Sequence, residues 1–197
     1  MKTFLVTLLA GALALAATTA DAQKPMRVRG TITGVDGDVL SLKSRDGKDL
    51  QLQMTENTAV AAAKAITLDD LKQGDYVGST TQNRADGTLV AREVHRIPRT
   101  VKEGHGPWDL EPGSMMTNAN VASVMKAAEG EELTLEYSGG SQKILVLPGT
   151  PIVMTTPADR SYLKPGEYVF IAAQAEADGK ITALRIQVSH GGVRPPQ

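Results

Sequence analysis

The sequence predicts an all-β protein of two tandem, small, five-stranded OB-like barrels, each with a short helical element between its third and fourth strands. Three observations carry that expectation. Leu71-Lys72-Gln73-Gly74-Asp75-Tyr76-Val77 returns ninety-two residues later as Leu163-Lys164-Pro165-Gly166-Glu167-Tyr168-Val169, and an internal repeat of this length means one small fold used twice. Short runs of alternating apolar and polar residues are joined at Asp-Gly pairs, a hairpin signal. One helical signal per copy follows the third run. Five strands interrupted in this way have the order of an OB-like barrel, and closure removes the edges that a small open sheet would expose. A half-barrel, or one sandwich made by both copies, would use the same strands.

In the first copy, Val28, Ile32 and Val35 lead to Asp36-Gly37, Leu40 and Leu42 lead to Asp46-Gly47, and Leu50, Leu52 and Met54 complete a meander. Thr67-Leu68-Asp69-Asp70-Leu71 reads as one helical turn with a Thr cap and an acid three residues on, stopped by Gly74. Two strands follow, near 76–81 and 89–97, with Asp86-Gly87 between them. The second copy repeats the order from Val121 to Val188 at offsets of 93 and then 92. Within its last strand the apolar parity changes, which predicts a β-bulge near Ala183.

The ends bound the compartment. Met1-Lys2, an apolar run from Phe4 to about Ala17 and an Ala20-Asp21-Ala22 site have the form of a cleavable signal peptide over residues 1–22. That run is shorter than the roughly 20 residues a spanning helix needs. The expected product is exported to the periplasm, with no membrane span after cleavage. There is no cysteine, so neither disulfides nor a lipidated cysteine are available. The divisions are domain 1 at 27–97, a Gly/Pro-rich connector at 98–116, domain 2 at 117–189 and a flexible tail at 190–197. A net charge of −1 and only seven aromatic residues, two Phe, four Tyr and one Trp, argue against nucleic acid.

No metalloprotease, nucleophile-elbow or phosphate-loop motif is present, and three histidines are a thin supply of general bases. A non-enzymatic binding or scaffolding protein is therefore expected, with no cofactor. The candidate ligand surface is the groove between the barrels, marked by Trp108, Asp109, Arg96 and Arg99 in and beside the connector. Trp108 reads first as an anchor for that connector and second as a stacking platform. The partner would be a small molecule, a glycan or a protein. The alternative is a metal-binding accessory protein. Glu93-Val94-His95 and Glu103-Gly104-His105 form two E-x-H motifs, and with Val94 inward Glu93 and His95 would point out together, offering zinc or copper a carboxylate and an imidazole. Met115-Met116 reads as filling rather than a copper site, because adjacent strand residues face opposite ways.

Arg29-Gly30-Thr31-Ile32-Thr33-Gly34-Val35-Asp36-Gly37, the Leu71–Val77 element and Asp86-Gly87 resemble a family of small exported bacterial domains of unknown function with an OB-like barrel. The likeness covers about 27–97 and 117–189. Glu103-Gly104-His105-Gly106-Pro107-Trp108-Asp109-Leu110, Ser114-Met115-Met116-Thr117-Asn118-Ala119 and Pro195-Pro196 resemble a two-copy proteobacterial subgroup, sometimes labelled a metal transporter permease. One short apolar segment cannot build a channel. The resemblance implies no catalytic or binding residue.

Overall fold

The computed structural model describes residues 24–197, so the signal peptide expected over 1–22 lies outside the described residues. Among these there are thirteen strands and two three-residue 3-10 turns. In the first copy the strands are β1 (Lys24–Asp36), β2 (Val39–Ser44), β3 (Asp49–Gln53), β4 (Ala59–Ala65), β5 (Tyr76–Asn83) and β6 (Leu89–Arg96). The connector contributes β7 (Gly104–Pro107). The second copy gives β8 (Met115–Ala127), β9 (Gly130–Tyr137), β10 (Gly140–Val146), β11 (Ile152–Ala158), β12 (Tyr168–Ala175) and β13 (Ile181–Val188). No helix among the described residues is long and apolar enough to cross a membrane.

The two barrels exchange strands. Barrel one closes β1 on β2, β2 on β3, β3 on β13, β13 on β12 and β12 back on β1. Barrel two closes β8, β9, β10, β6 and β5 in the same order, with the β10–β6 pairing parallel as β3–β13 is. Each barrel thus takes three strands from one copy and two from the other. The cores follow this division. Ile32, Leu40, Leu42 and Leu52 pack with Val169, Ile171, Ile186 and Val188, whereas Val77 and Val94 pack with Val121, Leu133, Leu135 and Ile144. The repeat unit and the barrel are different objects.

The repeated motif is the joint of the exchange. Gly74 N–H donates to Val121 O and Val121 N–H to Asp75 O, both at 2.8 Å; Gly166 N–H donates to Ile32 O and Ile32 N–H to Glu167 O, both at 2.9 Å. Each motif therefore grips the first strand of the other copy. Both glycines have positive φ, 86° and 93°, a conformation that other residues rarely adopt.

One expectation needs correcting. The interval after the third strand holds no helical element but a fourth strand, β4, and the helical signal survives only as 3-10 turns at Leu68–Asp70 and Arg160–Tyr162, between the fourth and fifth strands. Thr67 N–H and Thr67 Oγ1 both donate to Asp70 Oδ2, at 2.8 and 2.9 Å, but Leu71 is already extended. β4 is rich in alanine and shows no alternation, so nothing local announces it. It forms because β11 pairs with it antiparallel, Ala63 facing Thr155, while β4 also joins β13 and β11 joins β6. This β4–β11 seam fuses the barrels. The expected bulge falls at Leu184, which the β12 register skips, and β6 skips Arg92 in the same way.

Candidate functional site

The bulge at Arg92 sets the parity of the rest of β6, so Val94 enters the core of barrel two and Glu93 and His95 take its outer face. That face is covered. Glu93 and His95 are each only 7% exposed, which corrects the expectation that both would reach solvent. Strand parity tells which side a residue takes, not what lies above it.

The cover is the segment from His190 to Gln197. His190 and Val193 exchange backbone hydrogen bonds of 3.0 Å, and Pro195 and Pro196 are buried, so the stretch expected to be a flexible tail is docked. Gln197 N–H donates to Glu93 Oε1 at 2.8 Å, Trp108 Nε1 donates to Gln197 O at 2.9 Å, and Tyr168 OH reaches Gln197 Oε1 at 3.2 Å. Trp108 was expected to pin the connector into a groove; what its indole bonds is this segment.

Beneath Gln197, Thr80 Oγ1 donates to Glu93 Oε1 at 3.2 Å, and His95 Nδ1 lies 3.6 Å from the same oxygen without a hydrogen bond. Burial pushes the Glu93 carboxyl up to about 7, against the bonds from Gln197 and Thr80 and the charge of Arg29. Burial alone pushes the His95 imidazole down to about 4, so the ring is neutral at physiological pH. Gly78 makes room for it. A Cβ there would lie 2.5 Å from His95 Nε2 and 2.9 Å from Asn118 Oδ1.

On the barrel-one side Arg29 is buried, with Nη2 on Asp109 Oδ1 at 2.8 Å and its guanidinium 4.9 Å from the centre of the Phe170 ring. Arg27 lies 4.2 Å over Trp108 and 3.5 Å from Asp109. Burial works to raise the Asp109 pKa, but the Arg29 bond and the two positive charges outweigh it and hold the carboxyl below its usual range. Arg45 caps the connector through Asp109 O and Leu110 O.

The other candidates are placed elsewhere. Arg96 bonds Asp70 O and Asp75, and Arg99 bonds Gly74 O and Asn120, so both brace the loop before β5. Glu103 accepts from Ser138 N–H, and His105 Nδ1 meets Thr117 Oγ1 at 2.8 Å. Glu93 and His95 are brought together, and among the described residues no group of three His, Asp or Glu side chains that could hold a metal ion is found. Sequence reasoning missed Arg29, Gly78, Thr80, Phe170 and Gln197. A signal for two of them existed, because Gly78 and Phe170 occupy equivalent positions and differ.

Beside this cluster a cleft of about 750 Å³ opens over β6 and the β4–β11 seam, lined by Arg92, Glu93, Glu111, Ile152, Arg194 and Pro195. A smaller cavity of about 140 Å³ is lined by His95, Trp108, Phe170 and Pro196, and Gln197 borders both. A search of curated proteins finds none that matches the chain. A family model matches it twice, over residues 29–95 and 123–187, which are the two sequence copies and not the two barrels. The chain therefore belongs to the family described as a domain of unknown function, DUF5666, and carries two copies of it.

Proposed function

We propose that the protein is an exported, non-enzymatic binding or scaffolding module of the periplasm, with its ligand seated in the cleft over β6 and the β4–β11 seam. The observation that carries this reading is the cleft itself. It is concave, walled by both copies, and combines apolar Ile66, Ile152 and Val153 with the polar groups of Arg92, Glu93 and Arg194, the mixture that ligand sites show. The absence of catalytic motifs supports the non-enzymatic part. The His105–Thr117 contact has the spacing of a base and a nucleophile, but Thr117 is fully buried and closed to substrate.

A thermal-shift screen of glycans, nucleotides, small acids and metal ions tests the reading. The expected result is a ligand that raises the midpoint of the wild-type chain and has no effect on the Arg92→Ala/Arg194→Ala double variant. A screen with no hit, or a hit that ignores both arginines, would count against it.

A further inference from the structure

The segment 193–197 belongs to neither barrel core and lies beyond the second family match. It follows Gly191 and Gly192, both at positive φ, and is held by contacts to a peptide backbone. One residue, Gln197, donates its N–H to the Glu93 carboxyl and accepts at its backbone O from the Trp108 indole. Before it, two prolines are buried without leaving an N–H unsatisfied, since proline has none. Arg194 stacks 4.6 Å over Tyr168.

We propose that this crevice is a receptor for an extended, proline-rich peptide from a partner protein, filled in this structure by the chain's own Pro195-Pro196-Gln197. The proposal rests on the binding-module reading and names the ligand class for the same seam. An acceptor and an indole donor spaced for one residue's N–H and C=O, next to an apolar slot for pyrrolidine rings, select a peptide in the polyproline conformation, which is already extended before binding. A second observation points the same way. His95 is buried against the segment's cavity with Nδ1 unpartnered, and Arg29 Nε also lacks a partner. A surface meant only to be packed would be apolar here, because an unpaired buried polar atom costs stability. Polar walls suit a crevice that is hydrated when the segment leaves.

The test uses the full chain and the capped peptide acetyl-Val-Arg-Pro-Pro-Gln-amide, read by Trp108 fluorescence. Pro195→Gly/Pro196→Gly weakens the resident segment while keeping the chain complete. The double variant should show red-shifted emission that the peptide reverses saturably, with an affinity at least about tenfold above that of the wild-type chain. Glu93→Gln in that background should weaken binding by about tenfold or more. Unchanged emission in the double variant, or a red shift that millimolar peptide does not reverse, would overturn the proposal. Concentration-dependent dimerisation of the wild-type chain through exchange of this segment would also overturn it, assigning the crevice to a second copy. A ligand that still binds through Arg92 and Arg194 would leave the cleft reading standing while the peptide proposal fails.

Discussion

Across the seam, barrel two carries the row Asn118–Gly78–His95 where barrel one carries Arg29–Phe170–Gln187, on equivalent strands in the same register. The backbone is shared and the volume is redistributed. Barrel two sets an imidazole beside a glycine, and barrel one sets a benzyl ring beside an amide and lays a buried cation over it. The two cores, by contrast, are built from interchangeable aliphatic residues. Symmetry thus marks what the fold requires, and its local breakdown marks the surface on which the closing segment sits.

The most severe way to break the comparison is to write one row into the other. Gly78→Phe should cost more than about 4 kcal/mol or prevent folding, because the Cβ alone meets His95 and Asn118 at sub-contact distance. Adding His95→Gln, which completes the barrel-one pair, should recover part of that loss in urea midpoints. An unperturbed Gly78→Phe protein would show that the rows are not distinct environments. Next in size, Arg29→Asn imports the barrel-two residue and removes a buried cation from Phe170, Trp108 and Asp109. About 2–4 kcal/mol should be lost, moderated because half-exposed Asp109 can rehydrate.

Titration sharpens the same contrast. Glu93 has a folded-state pKa of about 7 against an ordinary 4.5, so the folded protein holds the extra proton and stability falls as pH rises from 4.5 to 7. His95 has a folded-state value of about 4 against 6.5, so the unfolded chain holds the extra proton and stability rises from pH 4 to 6.5. The two slopes oppose each other. Glu93→Gln should therefore leave stability rising with pH across that window and His95→Gln should leave it falling, each by on the order of 2–3 kcal/mol, as read from denaturant midpoints at several pH values. Slopes of the same sign would refute the assignment. The smallest effect is expected for Trp108→Phe, which loses the indole bond to Gln197 O. About 1 kcal/mol of segment docking should disappear, visible as faster hydrogen exchange at the Gln197 amide while the global midpoint barely moves.

Much of the fold was legible because it is local. The Asp-Gly turns place Gly37 and Gly87 at φ 55° and 85°, and the alternation of Leu40, Leu42, Leu52 and Met54 reports a buried face. The strand exchange was not legible, since a repeat says which strands are alike and not which ones pair. Leu40 is equally well covered by Ile186 or by its copy Val94 as far as periodicity can tell; only the chain's path decides. β4 escaped because Ala59–Ala65 becomes a strand by pairing rather than by pattern. At the site, Trp108 was visible as an anchor, but its partner lay 89 residues away in sequence. Glu93 and His95 were found for their chemistry and misplaced for their exposure, because burial by a distant segment leaves no trace in a strand's own alternation.

The exchange also sets an order of assembly. All strands of barrel two lie between residues 76 and 146, whereas barrel one needs β1, β2 and β3 from one side of that stretch and β12 and β13 from the other. A chain emerging from its N-terminus can close the inner barrel while the outer one still waits for its last two strands. The outer barrel then forms by long-range pairing around a finished neighbour, the slow kind of closure. Until residue 188 is available, the apolar faces of β1 to β3 have no lid. A nascent chain therefore keeps its outer barrel open until β13 has been delivered.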